Sequence, residues 1–261
     1  MPHVRVNGID FHYDLAGPEG APTVAFSHSV GSAINMWEPM MQALTARYRC
    51  LRYDTRGHGG SGASPAAITI DDLADDLVGI LDALGIDRAH IAGLSLGGMT
   101  GQSVAARYPG RVASLTLIAT AAYLPPLDFW EKRAATVRAE GPAAIVDTVM
   151  GRWFTEPFRN SRPEIVSEIR KLIVATPVAG YAGCCNAIPK INATARLKEI
   201  TCPILVIVGA DDPATPVAMA REIQDNAPGS QLVVLPQAAH LANLEQPAGF
   251  TRALQDFLSS N

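Results

Sequence analysis

The run Ile91-Ala92-Gly93-Leu94-Ser95-Leu96-Gly97-Gly98-Met99 constrains this chain more than any other. It reads G-x-S-x-G, with apolar residues before it and helix-compatible residues after it. In that pattern a strand turns sharply into a helix and lifts one serine hydroxyl out at the top of a sheet. Glycine is needed at 93 and 97 because the strained turn leaves no room for a side chain. Such a pentapeptide also arises by chance. The rest of the chain has to supply a base, an orienting acid and an oxyanion hole on the same sheet edge.

The sheet is legible in the hydrophobic pattern. Short apolar runs at 23–27, 49–53, 89–92, 115–119, 204–208 and 231–235 predict strands. Residues 9–13 alternate like a half-buried strand after the Asn7-Gly8 turn. Helices are predicted over 37–48, 95–108, 217–226 and 248–258. Another follows from Ile70, Leu73, Leu77, Ile80, Leu81 and Leu84, which recur at helical spacing. Thr69 and Asp72 resemble a capping box at its start, and Pro109-Gly110 stops the helix that follows Ser95. From about 121 to 195 there are helical patterns and turns but no strand. Strand–helix alternation on both sides of a helical insertion predicts an α/β fold: a doubly wound, mostly parallel sheet with an inserted helical cap. The core is then 1–120 with 196–261, and the cap or lid is 121–195. A cap so placed packs over the carboxyl ends of the strands, where ligands bind in such sheets.

Composition narrows the function. With 261 residues there is enough chain for one large α/β domain or two small ones. A formal net charge of −4 offers no broad basic surface to nucleic acid or anionic membrane. No apolar run reaches the roughly 18 residues that span a bilayer. The N-terminal residues lack the apolar stretch of a signal peptide, so a cytoplasmic location and a small-molecule partner are expected. Cys50, Cys184, Cys185 and Cys202 form no C-x-x-C pair, and Cys184-Cys185 reads as two reduced thiols on a helix. The six histidines are scattered, and no metal or cofactor is expected. The Gly-rich loop around His58 lacks the Lys-Ser/Thr of a phosphate cradle and the G-x-G-x-x-G of a dinucleotide site, and reads as a structural turn.

A serine hydroxyl needs a base to take its proton. His240 follows strand 231–235 after a short loop, at the same sheet edge as Ser95. The base needs a carboxylate to fix its tautomer. In Gly209-Ala210-Asp211-Asp212-Pro213-Ala214-Thr215-Pro216 either aspartate fits, or one merely caps the next helix. Asp212 is preferred on its spacing from Gly209 and Pro216. The order Ser95, Asp212, His240 is that of α/β-hydrolases. Oxyanion donors are expected from the N–H groups of Leu96 and of Val30, in the Ser27-His28-Ser29-Val30-Gly31 loop. His28 reads either as a support of that loop or as a second base.

Along essentially its whole length the chain resembles the α/β-hydrolase superfamily. Segments 51–59, 95–101, 152–155 and 240–245, with Met36-Trp37, are similar to those of 3-oxoadipate enol-lactonases. His28 departs from that pattern, where Asn is expected. The resemblance implies attack by Ser95 on a lactone carbonyl, loss of an enolate that becomes a ketone, and release of the acyl-enzyme by water. It implies a substrate with a free carboxylate and a cation to meet it, for which Arg133, Arg138 and Arg152 are candidates. Trp153 and Ser29 are further substrate-binding candidates, and Trp130 is either wall or core. A general carboxylesterase, another lactonase, or a ligand-binding signalling receptor on the same fold are the alternatives.

Overall fold

The computed structural model describes residues 2–64, 67–124 and 126–261. The chain opens with a hairpin of β1 (His3–Val6) and β2 (Ile9–Ala16). Its turn is Asn7-Gly8, with φ of 49° and 78°. Two-residue hairpins need that left-handed pair, and Asn-Gly supplies it at least cost. Sequence patterning predicts the strand after this turn but not β1, whose four residues are too few to show a period.

Then come β3 (Thr23–Ser27), α1 (Glu38–Leu44), β4 (Arg49–Tyr53), α2 (Ile70–Ala83), β5 (Ala89–Leu94), α3 (Leu96–Arg107) and β6 (Val112–Ile118). The helix expected over 37–48 is shorter. A 3-10 turn at Ile34–Trp37 precedes it, and the chain leaves the helix at Thr45, whose hydroxyl bonds back to the Met41 carbonyl at 2.8 Å. The capping box of α2 forms as expected. Thr69 Oγ1 accepts from the Asp72 N–H, and Asp72 accepts from the Thr69 N–H at 2.8 Å.

Among the described residues, five α-helices lie between β6 and the next strand: α4 (Leu127–Glu140), α5 (Val146–Trp153), α6 (Glu156–Ser161), α7 (Pro163–Ala175) and α8 (Val178–Ala187). The chain ends with β7 (Ile204–Gly209), α9 (Val217–Asn226), β8 (Gln231–Leu235), α10 (Ala242–Glu245) and α11 (Pro247–Ser259). No single helix among the described residues is long and apolar enough to cross a membrane.

Among the described residues, eight strands form one sheet in the order β1-β2-β4-β3-β5-β6-β7-β8. The first two pairings are antiparallel and the remaining five parallel. Every residue of β3, β5 and β7 is buried, which is why these strands read as continuous apolar runs. Helices α2 and α3 pack together, as do α1 and α11. The parallel pairing has one consequence for function. The loops after β3, β5, β7 and β8 emerge from the same edge, and they carry Val30, Ser95, Asp212 and His240.

Candidate active site

Ser95 links β5 to α3 with φ 55° and ψ −111°. A non-glycine residue held there stores on the order of 1–3 kcal/mol of strain. Neighbours hold it in place: its N–H donates to the Ile118 carbonyl at 2.8 Å, and Thr120 Oγ1 donates to its carbonyl at 2.7 Å. The flanking glycines are steric necessities. A Cβ on Gly93 would sit 2.1 Å from the Gly97 oxygen, and one on Gly97 would sit 2.0 Å from the Ser27 oxygen.

His240 Nδ1 lies 2.9 Å from Asp212 Oδ2, with both side chains almost fully buried. This geometry separates the two aspartates, because Asp211 is exposed. Asp212 Oδ1 accepts from the N–H groups of Ala214 and Thr215 at 2.7 and 3.1 Å. Its Oδ2 also accepts from Thr215 Oγ1 at 2.7 Å. It does not cap α9, which begins later, at Val217. Burial alone would raise the Asp212 carboxyl. The His240 ring and the Thr215 bonds outweigh burial and hold it below the usual carboxylate range. Thr215 has no motif signal in the sequence; only the loop's folding brings its hydroxyl between acid and base.

Ser95 and His240 both line a cavity of about 290 Å³. Val30 and Ser29 form part of its wall, with Phe129, Trp130, Arg133, Val149, Arg152, Trp153 and Met219 from other elements. Asp212 and Leu96 are not in the wall. The Leu96 N–H opens α3 and therefore has no intrahelical acceptor. The Val30 N–H donates to no backbone acceptor among the described residues. Trp153 lies with its ring centroid 6.0 Å from that of His240.

The three arginine candidates divide. Arg133 and Arg152 face the Ser95 cavity. Arg138 faces a different one, beside Glu131 and Lys190, and is not part of this site. The physical reason is helical geometry: positions five apart on α4 are rotated by about 140°. Arg133 stacks between Trp130 and Tyr181, at 5.4 and 5.3 Å from their centroids, and donates to the Tyr181 hydroxyl. Arg152 lies over Phe129 and donates to the Pro213 carbonyl at 3.2 Å. Burial, then the nearby Arg133 charge, push the Arg152 guanidinium below its ordinary value. Neither arginine has a carboxylate partner among the described residues. Arg133 Nε and Ser29 Oγ are buried without a hydrogen-bond partner among those residues.

His28 is fully engaged. Its Nε2 accepts the Thr55 N–H at 2.8 Å, and its Nδ1 lies 2.8 Å from the Ser29 carbonyl. Both nitrogens hold loop backbone, so it supports the loop and is not poised as a base. Its ring lies 5.4 Å from that of His58. Burial holds His28 below its ordinary value; burial, then the His28 neighbour, push His58 down to about 3. An unfolded imidazole takes a proton near 6.5. Below that pH the unfolded chain binds more protons than the folded one, so stability is full above about 6.5 and falls as pH drops towards 3. Thermal melts are expected to show a Tm that declines between pH 7 and 5. His58→Gln should flatten that slope, and an unchanged slope would assign it elsewhere. Cys184 and Cys185 lie in α8 as free, buried thiols, and burial raises both.

A family model described as alpha/beta hydrolase fold matches residues 22–247. The chain is 36% identical over 247 residues to 3-oxoadipate enol-lactonase 2 of Acinetobacter baylyi, spanning 95% of this chain and 92% of the relative. The crystal structure of the enol-lactonase from Burkholderia xenovorans LB400 superposes with a TM-score of 0.97 at 39% identity, covering 99% of this chain and 100% of that one. A thermophilic esterase from Thermogutta terrifontis, solved with malate bound, gives a TM-score of 0.93 at 30% identity, covering 100% and 99% of the two chains.

Proposed function

This chain belongs to the α/β-hydrolase family, and on that premise we propose that it hydrolyses 3-oxoadipate enol-lactone through an acyl-enzyme on Ser95. It is a hydrolase of ester or lactone bonds, and the likeness to enol-lactonases points to the substrate. One observation supports that choice most: two half-buried guanidinium groups, Arg133 and Arg152, share the Ser95 cavity without a carboxylate partner among the described residues. A buried, unpaired charge is costly. A substrate carboxylate relieves that cost by accepting from the guanidinium groups that line the cavity. A cavity of about 290 Å³ suits a short lactone.

In this mechanism Asp212 accepts from His240 Nδ1, which leaves Nε2 unprotonated and able to take the Ser95 proton. Ser95 Oγ bonds to the lactone carbonyl carbon. The resulting oxyanion accepts from the N–H groups of Val30 and Leu96. When it collapses, the ring C–O bond breaks and the enol oxygen leaves with the proton held by His240. The enol then becomes a ketone. Water, deprotonated by His240, attacks the acyl carbon of the ester on Ser95; the acyl C–Oγ bond breaks and His240 returns the proton to Ser95 Oγ.

Arg133→Ala tests the substrate. Charge-assisted hydrogen bonds contribute about 1.5–3 kcal/mol, so kcat/KM for the enol-lactone should fall by about 30-fold. For a neutral p-nitrophenyl ester of similar size the loss should stay below about threefold. Equal losses on both substrates would remove the carboxylate from the account and favour a general esterase.

A further inference from the structure

His240 stands in a short loop between β8 and α10, and its ring is held by Asp212. The backbone on either side of it is held by something else. On one side the Ala239 N–H donates to Glu245 Oε2 at 2.5 Å. On the other side the Leu241 N–H donates to the Trp153 carbonyl at 3.1 Å. The second oxygen of Glu245 accepts from the N–H and the hydroxyl of Thr155, at 2.9 and 2.7 Å. One carboxylate therefore joins the residue before His240 to the residue that caps the start of α6. Both flanks of His240 are tied, directly or through Glu245, to the stretch from Trp153 to Thr155.

Glu245 is only 8% exposed. Among the described residues no cation lies within ion-pairing distance of it, so its three hydrogen bonds are what stabilise its charge there. All three donors point at an anion, and none could bond to an apolar side chain of the same shape. The acid loop joins the same assembly: the Asp211 N–H donates to the Ala238 carbonyl at 2.9 Å. At Gly209 a Cβ would come within 2.2 Å of that oxygen.

We infer that Glu245 is a positioning residue for His240: its carboxylate locks the base loop to the Trp153–Thr155 stretch, so that the seating of the helical segment and the aim of the imidazole are one variable. Trp153 reinforces this, because it contributes both a wall of the cavity and the carbonyl that holds Leu241.

Glu245→Gln tests this in the full-length protein. The amide offers one acceptor end and one donor end, so it opposes either the Ala239 N–H or the Thr155 pair. With p-nitrophenyl butyrate as probe, kcat should fall about tenfold with KM within about twofold, since a small misplacement of a reacting group acts on the chemical step. Phosphonylation of Ser95 by a small fluorophosphonate should slow by a similar factor. Thr155→Val removes one of the three bonds and should lower kcat two- to threefold. Because Thr155 acts through Glu245, the double variant should be no slower than Glu245→Gln alone. If Tm falls while kcat and phosphonylation stay at wild-type values, Glu245 is structural only and the inference is overturned. If Glu245→Gln does not fold, Thr155→Val decides on the same readouts. His240→Ala, run in parallel, separates the two levels. Wild-type turnover in that variant removes His240 as the base, whereas its loss beside an unaffected Glu245→Gln removes only the positioning role.

Discussion

Ser95→Ala is expected to lower kcat by about 10⁶, leaving only the residual acceleration from binding and the oxyanion donors. The substitution deletes one oxygen and keeps Cβ. The φ of 55° is as strained for alanine as for serine, and the bonds from Ser95 N–H to Ile118 and from Thr120 to Ser95 use backbone atoms that remain. Folding should therefore be unaffected, with Tm within about 2 °C of wild type. The result also separates an enzyme from a receptor on the same fold. An enzyme loses its biological output with its turnover. A receptor keeps its output and shows negligible turnover in both forms. Retention of a tenth or more of wild-type kcat would exclude Ser95 as the nucleophile.

Asp212→Asn should lower kcat by about 10⁴ through the tautomer of His240. The direction follows from the four bonds that Asp212 accepts. Its Oδ1 satisfies two backbone N–H groups, of Ala214 and Thr215, and an asparagine carbonyl will take that place. The amide NH2 then occupies the Oδ2 position, facing His240 Nδ1 and the Thr215 hydroxyl. An NH2 there donates to Nδ1 and moves the imidazole proton to Nε2. In that form His240 cannot accept the Ser95 proton. KM should change little, because Asp212 does not line the cavity. Asp211→Asn is the control: its side chain is exposed, and kcat should stay within about twofold of wild type. Similar losses in both variants would mean that the two aspartates share the role.

The parts of the site that were legible in the sequence are those fixed by local backbone chemistry. Gly93 and Gly97 announce the elbow because nothing larger fits. Buried parallel strands announce themselves as apolar runs, and the residues just past them fall on one edge whatever the loops do. That places Ser95, His240 and the 209–216 loop together from the sequence alone. Choosing Asp212 over Asp211 rested on spacing, and its contact with His240 depends on how the loop folds around Thr215. The helical segment between β6 and β7 was least legible. Its helices include two of six and eight residues, and the orientation of all five over the sheet is set by packing that no period records. Arg133 and Arg138 look equivalent in sequence, yet only one of them reaches the cavity. Glu245 gave no sign of its role, because two of its three donors are backbone N–H groups and the third is a hydroxyl 90 residues away.

The central claim is that a small anionic lactone is the substrate. The measurement that tests it most directly is the wild-type kcat/KM for 3-oxoadipate enol-lactone beside those for neutral p-nitrophenyl esters of similar size. A preference for the lactone of about 100-fold is expected, the combined effect of two cavity arginines meeting one carboxylate. Equal or faster turnover of the neutral esters would contradict the account.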